Sequence, residues 1–150
     1  MLFRSDLDKD IEQKQGMSIP DMFREYGEEW FRQREMEAVR YWAGQKNVVI
    51  STGGGTVKNP ANTRLLRQQG RLVCLHADVD TLLERTSRQG KRPVLDARAA
   101  EFGGDRRKAI ESLLEERKPM YEQADFYVDT GELSPLQVAV KVADYIRREK

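Results

Sequence analysis

Val48-Val49-Ile50-Ser51-Thr52-Gly53-Gly54-Gly55 is the stretch on which the fold turns. A short apolar run rich in β-branched residues suits a buried strand, and three glycines directly after it leave bare backbone N–H groups that a ligand can approach closely. Ligands of open α/β sheets bind beyond the carboxyl ends of the strands, which is where this run ends. A glycine triplet alone reads as a flexible turn; its place after a strand favours a site. Two more runs have strand length, Leu72-Val73-Cys74-Leu75-His76 and Phe126-Tyr127-Val128-Asp129, and Met1-Leu2-Phe3 reads as the tail of another. Longer helical stretches separate them. The alternation predicts βα units and a parallel sheet whose short apolar strands are covered on both faces.

Helix starts are marked by capping residues. Ser18 precedes Ile19-Pro20-Asp21, Pro60 opens a helix that closes at Gly70, and Asp78 caps a helix from Val79 to about Ser87. A helix is predicted from Glu28 to about Tyr41, with Gly44 as its C′ residue. Asp105 caps a long helix ending near Tyr121, broken by Pro119, and Ser134-Pro135 opens the last. Residues 88–104 carry Gly90, Pro93, Gly103 and Gly104 among many charges and are predicted as a lid loop. There is no internal repeat and no linker, so 1–150 is read as one domain.

Lys and Arg number 26 against 25 Asp and Glu, a net charge of +1. That balance argues against nucleic acid as the main partner. No apolar run is long enough to span a bilayer, and the start has no signal-peptide core. The single cysteine, Cys74, permits no internal disulfide and predicts a reducing, cytoplasmic location. Cys74 and His76 lie in a strand pattern, and Trp30, Phe31 and Trp42 at helical spacing; all are expected to serve packing rather than chemistry.

Several residues have the chemistry for a site. Arg32 and Glu35 are three apart and share a helix face, so Glu35 can orient the guanidinium for two parallel hydrogen bonds to a small carboxylate. Taken alone, the pair is an ordinary surface ion pair of little worth. Arg117 is a second candidate for a carboxylate, or a cation complementing its helix end. Arg85, in Leu83-Glu84-Arg85-Thr86, and Arg92, in Arg92-Pro93-Val94-Leu95, flank or occupy the mobile stretch, where an arginine could swing onto phosphates. Asp6, in Ser5-Asp6-Leu7-Asp8, could accept a hydroxyl proton, or simply cap a helix.

Taken in order, these blocks resemble the shikimate kinases. That family reads F-x-D-S/T-D, G-M-S-I-x-x-I/M-F, G-E-x-x-F-R-x-x-E, T-G-G-G, L-x-R-T, R-P-L-L, E-R-x-x-x-Y and a closing V-D-T. This chain supplies Ser5-Asp6, Gly16-Met17-Ser18-Ile19 to Phe23, Gly27-Glu28 to Glu35, Thr52 to Gly55, Leu83 to Thr86, Arg92 to Leu95, Glu116-Arg117 to Tyr121 and Val128-Asp129-Thr130. The resemblance implies a P-loop kinase-like α/β fold and ATP- and Mg²⁺-dependent phosphorylation of the 3-hydroxyl of shikimate, in aromatic amino-acid biosynthesis. By the same resemblance Asp6 is the proton acceptor, Arg32 and Arg117 hold the carboxylate, Glu35 supports Arg32, and Gly53 and Gly54 meet the substrate. Arg92 reaches the ATP phosphates, Arg85 packs near adenine, and the enzyme is a monomer.

The sequence departs from that pattern. It contains no G-x-x-x-x-G-K-[ST], the loop whose backbone cradles phosphates, whose lysine reaches them and whose hydroxyl binds Mg²⁺. Arg4 stands where F-x-D-S/T-D would place its first Asp, the stretch after Arg92 is long, and Thr130-Gly131-Glu132-Leu133 lacks an arginine. The expectation is a domain incomplete at its N-terminus, lacking the central first strand, the phosphate loop and the first helix. Unpaired groups in a sheet centre cost about 1–3 kcal/mol each, so the chain is expected to be unstable alone or to pair a strand with another chain. It is expected to be inactive unaided. The alternatives are a non-catalytic shikimate-binding descendant and another small-molecule kinase of the same fold, such as a gluconate-type enzyme. The arginine pair with the triple glycine argues against the latter.

Overall fold

The computed structural model describes residues 2–149; of the expected Met1-Leu2-Phe3 strand tail, Met1 lies outside them. Two compact units divide the chain, Met1–Gly70 and Arg71–Lys150.

In the first unit, strand β1 (Phe3–Asp6) leads into helices α1 (Leu7–Gln15), α2 (Ile19–Tyr26) and α3 (Glu28–Ala43). Strand β2 (Val48–Ser51), a 3-10 turn (Thr56–Lys58) and helix α4 (Pro60–Gln69) follow. β1 and β2 pair in parallel, from Phe3 opposite Val48 to Asp6 opposite Ser51. Helix α1, marked in the sequence only by the cap offered at Asp6, starts because Asp6 accepts from the Lys9 N–H and because Leu7 and Ile11, four apart, are both buried. Gly16 ends it in the left-handed region, φ 68°, where a Cβ would be strained. Ile11, Met22 and Phe31 form the core, packed by Met17, Ile19, Phe23, Trp30 and Ala38. Phe31 is thus a core residue, as expected. Gly44 is right-handed (φ −78°) rather than a left-handed C′ residue; Asn47 takes the positive φ (55°) on the way into β2.

The second unit contains strand β3 (Val73–His76), helices α5 (Val79–Ser87), α6 (Pro93–Glu101) and α7 (Arg106–Tyr121), strand β4 (Phe126–Asp129) and helix α8 (Pro135–Arg148). β3 and β4 pair in parallel, from Val73 opposite Phe126 to His76 opposite Asp129. Leu95, Ala99, Ala109 and Ile110 make its core with Val79, Leu82, Leu83, Leu113 and Leu114.

Helix α6 corrects the reading of residues 88–104 as an irregular loop. Pro93 fixes the first turn, the Asp96 carboxylate accepts from the Arg92 N–H, and Leu95 and Ala99 bury one face against Ala109 and Ile110. Asp96 pairs with Arg106, and Arg98 with Glu116. The charges that read as a solvated loop are the outer face of a packed helix. Pro119 is also misread as a break. The helix runs through it to Tyr121, and the Glu122 N–H bonds the Lys118 carbonyl, so the last turn closes beyond the proline.

Parallel pairing appears as expected, and among the described residues no ladder joins β2 to β3: the strands form two separate pairs. Val49 on β2 and Leu75 on β3 are 52% and 57% exposed, unlike strands covered on both faces.

Candidate functional site

The first unit gathers a cation, two carboxylates and the glycine turn. Phe31, Glu35, Val39 and Ala43 form the buried stripe of α3, and that spacing carries Glu35 inward with only 1% of its surface exposed. A carboxylate this deep needs partners. Arg32 Nη1 donates to its Oε1 at 2.9 Å, and Thr56 Oγ1 donates to its Oε2 at 2.9 Å. The Arg32–Glu35 pair is therefore no ordinary surface ion pair. On its other side Arg32 reaches Glu28 Oε1 through Nε at 3.4 Å and Nη2 at 3.3 Å, and its Cζ lies 5.4 Å from the centre of the Phe31 ring.

The glycine turn closes over this pair. A Cβ on Gly55 would lie 2.5 Å from Arg32 Nη2 and 2.8 Å from Nη1, so the guanidinium occupies the space a side chain would take. A Cβ on Gly53 would come within 3.4 Å of Asp8 Oδ1 and 3.8 Å of Glu35 Oε2. Gly54 stands between them. The turn is pinned by Thr56 N–H to the Gly53 carbonyl at 3.2 Å and Lys58 N–H to the Gly55 carbonyl at 3.1 Å.

Asp8 is the residue that the sequence reading passed over. Burial pushes its carboxyl above the ordinary range, the negative charges of Glu35, Asp6 and Glu12 add to that, and Arg32 opposes it. A carboxylate with raised proton affinity, in the same cluster as a held guanidinium, has the chemistry of a proton acceptor. Asp6, the expected acceptor, instead caps α1 at 3.3 Å from the Lys9 N–H in an exposed bond. Ser5 is buried and donates to Asp10 Oδ2 at 2.5 Å. Reading the family's acid pair from Ser5 put Arg4 and Asp6 in it. Asp6, Asp8 and Asp10 alternate through the start of α1, and Asp6 and Asp8 are the first two acids spaced two apart, with buried Leu7 between them. Arg4, exposed in β1, does not belong to that pair.

A raised carboxyl has a signed consequence. Below the unfolded pKa, about 3.9, Asp8 is protonated in both states and imposes no penalty. Above its folded pKa the buried charge disfavours folding. Asp8→Asn should therefore be more stable than the wild type at pH 7, with the gain vanishing as the pH falls through 4. Urea titrations at pH 7 and pH 3.5 check it; an equal difference at both would contradict the assignment.

Arg85, Arg92 and Arg117 belong to the second unit. Arg85, on α5, donates from Nη1 to Thr130 Oγ1 and from Nη2 to the Thr130 carbonyl, both at 2.8 Å, tying its helix to the residue after β4. Arg92 is the N-cap of α6 and exposed. Arg117, on α7, donates from Nη1 to Tyr121 Oη at 3.5 Å and buries an Nε that has no partner among the described residues.

The one run of three glycines lies against Arg32, and among the described residues no group of three or more His, Cys, Asp and Glu could hold a metal ion. Among them, too, no helix is long and apolar enough to cross a membrane.

Comparison with known proteins gives a consistent result. The family model described as "Shikimate kinase" matches residues 3–147. A shikimate kinase of Persephonella marina is 36% identical over 142 residues, which cover 95% of this chain and 82% of that protein. One of Caldanaerobacter subterraneus is 41% identical over 137 residues, covering 91% and 77%. Among solved structures, the shikimate kinase from Acinetobacter baumannii in complex with shikimate superposes with a TM-score of 0.89 at 31% identity, covering 99% of this chain and 80% of that one. The enzyme from Aquifex aeolicus gives a TM-score of 0.78 at 29% identity, covering 99% and 82%.

Proposed function

This chain belongs to the shikimate kinase family of phosphotransferases, and from that premise we propose that its first unit is a binding site for shikimate, with Arg32 taking the carboxylate and Asp8 the reacting hydroxyl. The observation that carries the reading is the guanidinium of Arg32, held by buried Glu35 against Gly55, in the same cluster as the desolvated Asp8. A hydroxy-acid needs one cation for its carboxylate and one acceptor for its hydroxyl proton, and the cluster offers both. Backbone groups at Gly53 and Gly54 meet the ring. Arg117, placed by its match to the family pattern E-R-x-x-x-Y, is read as a carboxylate-binding residue of the second unit. Arg92, exposed at the start of α6, is the phosphate-seeking arginine, and Arg85, fixed to Thr130, supports the adenine side.

The family reaction is transfer from ATP to the 3-hydroxyl, with Mg²⁺. These residues supply neither a phosphate cradle nor a metal cluster, so no transfer step is assigned to them. The reading is a cytoplasmic small-molecule site on a monomer, not a nucleic-acid or membrane surface, and the net charge of +1 supports it. A non-catalytic shikimate binder accounts for the same site, and the absence of G-x-x-x-x-G-K-[ST] from these 150 residues favours it for this chain by itself. Equilibrium titration and a coupled ADP-release assay test both halves. Saturable shikimate binding without turnover is expected, with gluconate a poor competitor. Turnover with ATP and Mg²⁺ would overturn the second half, and absence of shikimate binding the first.

A further inference from the structure

We propose that Thr56 is a positioning residue for Arg32, acting through Glu35; this deepens, and rests on, the reading of Arg32 as the carboxylate-binding group. Thr56 has 0% of its surface exposed, so its hydroxyl has no water to turn to. It donates to Glu35 Oε2 at 2.9 Å while Arg32 Nη1 holds Oε1 at 2.9 Å. One carboxylate is thus clamped at both oxygens, by two donors that approach it from different parts of the unit. The threonine side is rigid in turn. Asn62 Nδ2 donates to the Thr56 carbonyl at 3.0 Å, Asn62 is 1% exposed, and Asn59 fixes the start of α4 by accepting from the Ala61 N–H at 2.9 Å. The chain of bonds runs from α4 to Thr56, to Glu35, to Arg32.

The physical argument is one of orientation. Two donors on the two oxygens define the carboxylate plane, and that plane defines where a planar guanidinium can lie. If the Thr56 hydroxyl is removed, Glu35 keeps its charge and its burial but loses one donor. Its carboxylate is then free to rotate toward Arg32 with both oxygens, drawing the guanidinium off the seat it occupies against Gly55. Arg32 would still be paired but no longer aimed at a ligand. A merely structural Thr56 would affect stability and leave Arg32 as it was.

Thr56→Val preserves shape and removes the hydroxyl; Thr56→Ser restores it. Two readouts decide the matter in the full chain. In the ligand-free protein, the side-chain ¹⁵N signals of Arg32 should show hindered guanidinium rotation in the wild type and T56S, and faster rotation in T56V. In calorimetry with shikimate, T56V should bind about tenfold more weakly, with T56S close to the wild type. If T56V is destabilised but its Arg32 signals and shikimate affinity match the wild type, the positioning role is overturned. If the Arg32 signals respond to T56V while the wild type binds no shikimate, the positioning role stands and the shikimate reading falls.

Discussion

Arg32→Met weakens shikimate binding by about 30-fold or more, and destabilises the chain as well. Both effects follow from Glu35. Arg32 provides the carboxylate with a charged donor at 2.9 Å, and Glu35 is 1% exposed. Removing one member of a buried pair leaves a charge without compensation, which costs about 3–5 kcal/mol. The Arg32 side chain retains 22% exposure, so the lower end applies. Thr56 keeps one oxygen of Glu35 satisfied, which also limits the loss. The binding loss has a separate origin: truncating one side of a charge-assisted contact costs about 2–5 kcal/mol, or roughly 30- to 5,000-fold. Calorimetry and urea unfolding measure the two. A variant with normal stability and normal affinity would remove Arg32 from the site.

Gly55→Ala should separate binding from folding. At Gly55 φ is −94°, which alanine adopts without backbone strain, and the substitution reduces the freedom of the unfolded chain. Stability should therefore stay within about 1 kcal/mol of the wild type. The new Cβ, however, falls 2.5 Å from Arg32 Nη2. The guanidinium cannot withdraw while keeping both its 2.9 Å bond to Glu35 and its 3.3 Å bond to Glu28. It keeps the bond to buried Glu35, gives up Glu28 and shifts off its seat, and shikimate affinity should drop about 10- to 100-fold. Gly53→Ala is the milder comparison, because its Cβ would meet Asp8 Oδ1 at 3.4 Å, an ordinary contact. An equal effect of the two substitutions on affinity would contradict the steric account.

What the sequence made legible depended on whether the signal was local. The strands, most of the helix caps and the Arg32–Glu35 pair follow from runs, capping residues and three-residue spacing. The worth of the pair did not. It comes from Glu35 falling in register with Phe31 and Val39 on the buried face of α3, a stripe that the spacing already contained. Helix α6 was hidden because Arg98, Asp96 and Glu101 lie outward while only Leu95 and Ala99 turn in. Asp8 was missed for a different reason. The family pattern was anchored on the hydroxyl of Ser5, whereas burial of Leu7 and Ile11 starts α1 at Leu7 and carries Asp8 toward Gly53. Gly55 lies in the glycine run that the sequence marks, but its seat against Arg32 does not show there, and nothing marks Thr56, whose importance lies in a buried hydroxyl facing another element.

The separate β1–β2 and β3–β4 pairs fit the same account. The charged and polar groups argued for shikimate in the first unit hold one another in place through α1, α3 and the turn after β2, and none of those contacts calls on a phosphate loop.

The most direct test is calorimetric titration of the 150-residue chain with shikimate and with the analogue in which its carboxylate is reduced to a primary alcohol. The account predicts saturable binding of shikimate and at least about hundredfold weaker binding of the alcohol. Equal affinity for the two, or no binding of shikimate, would contradict it.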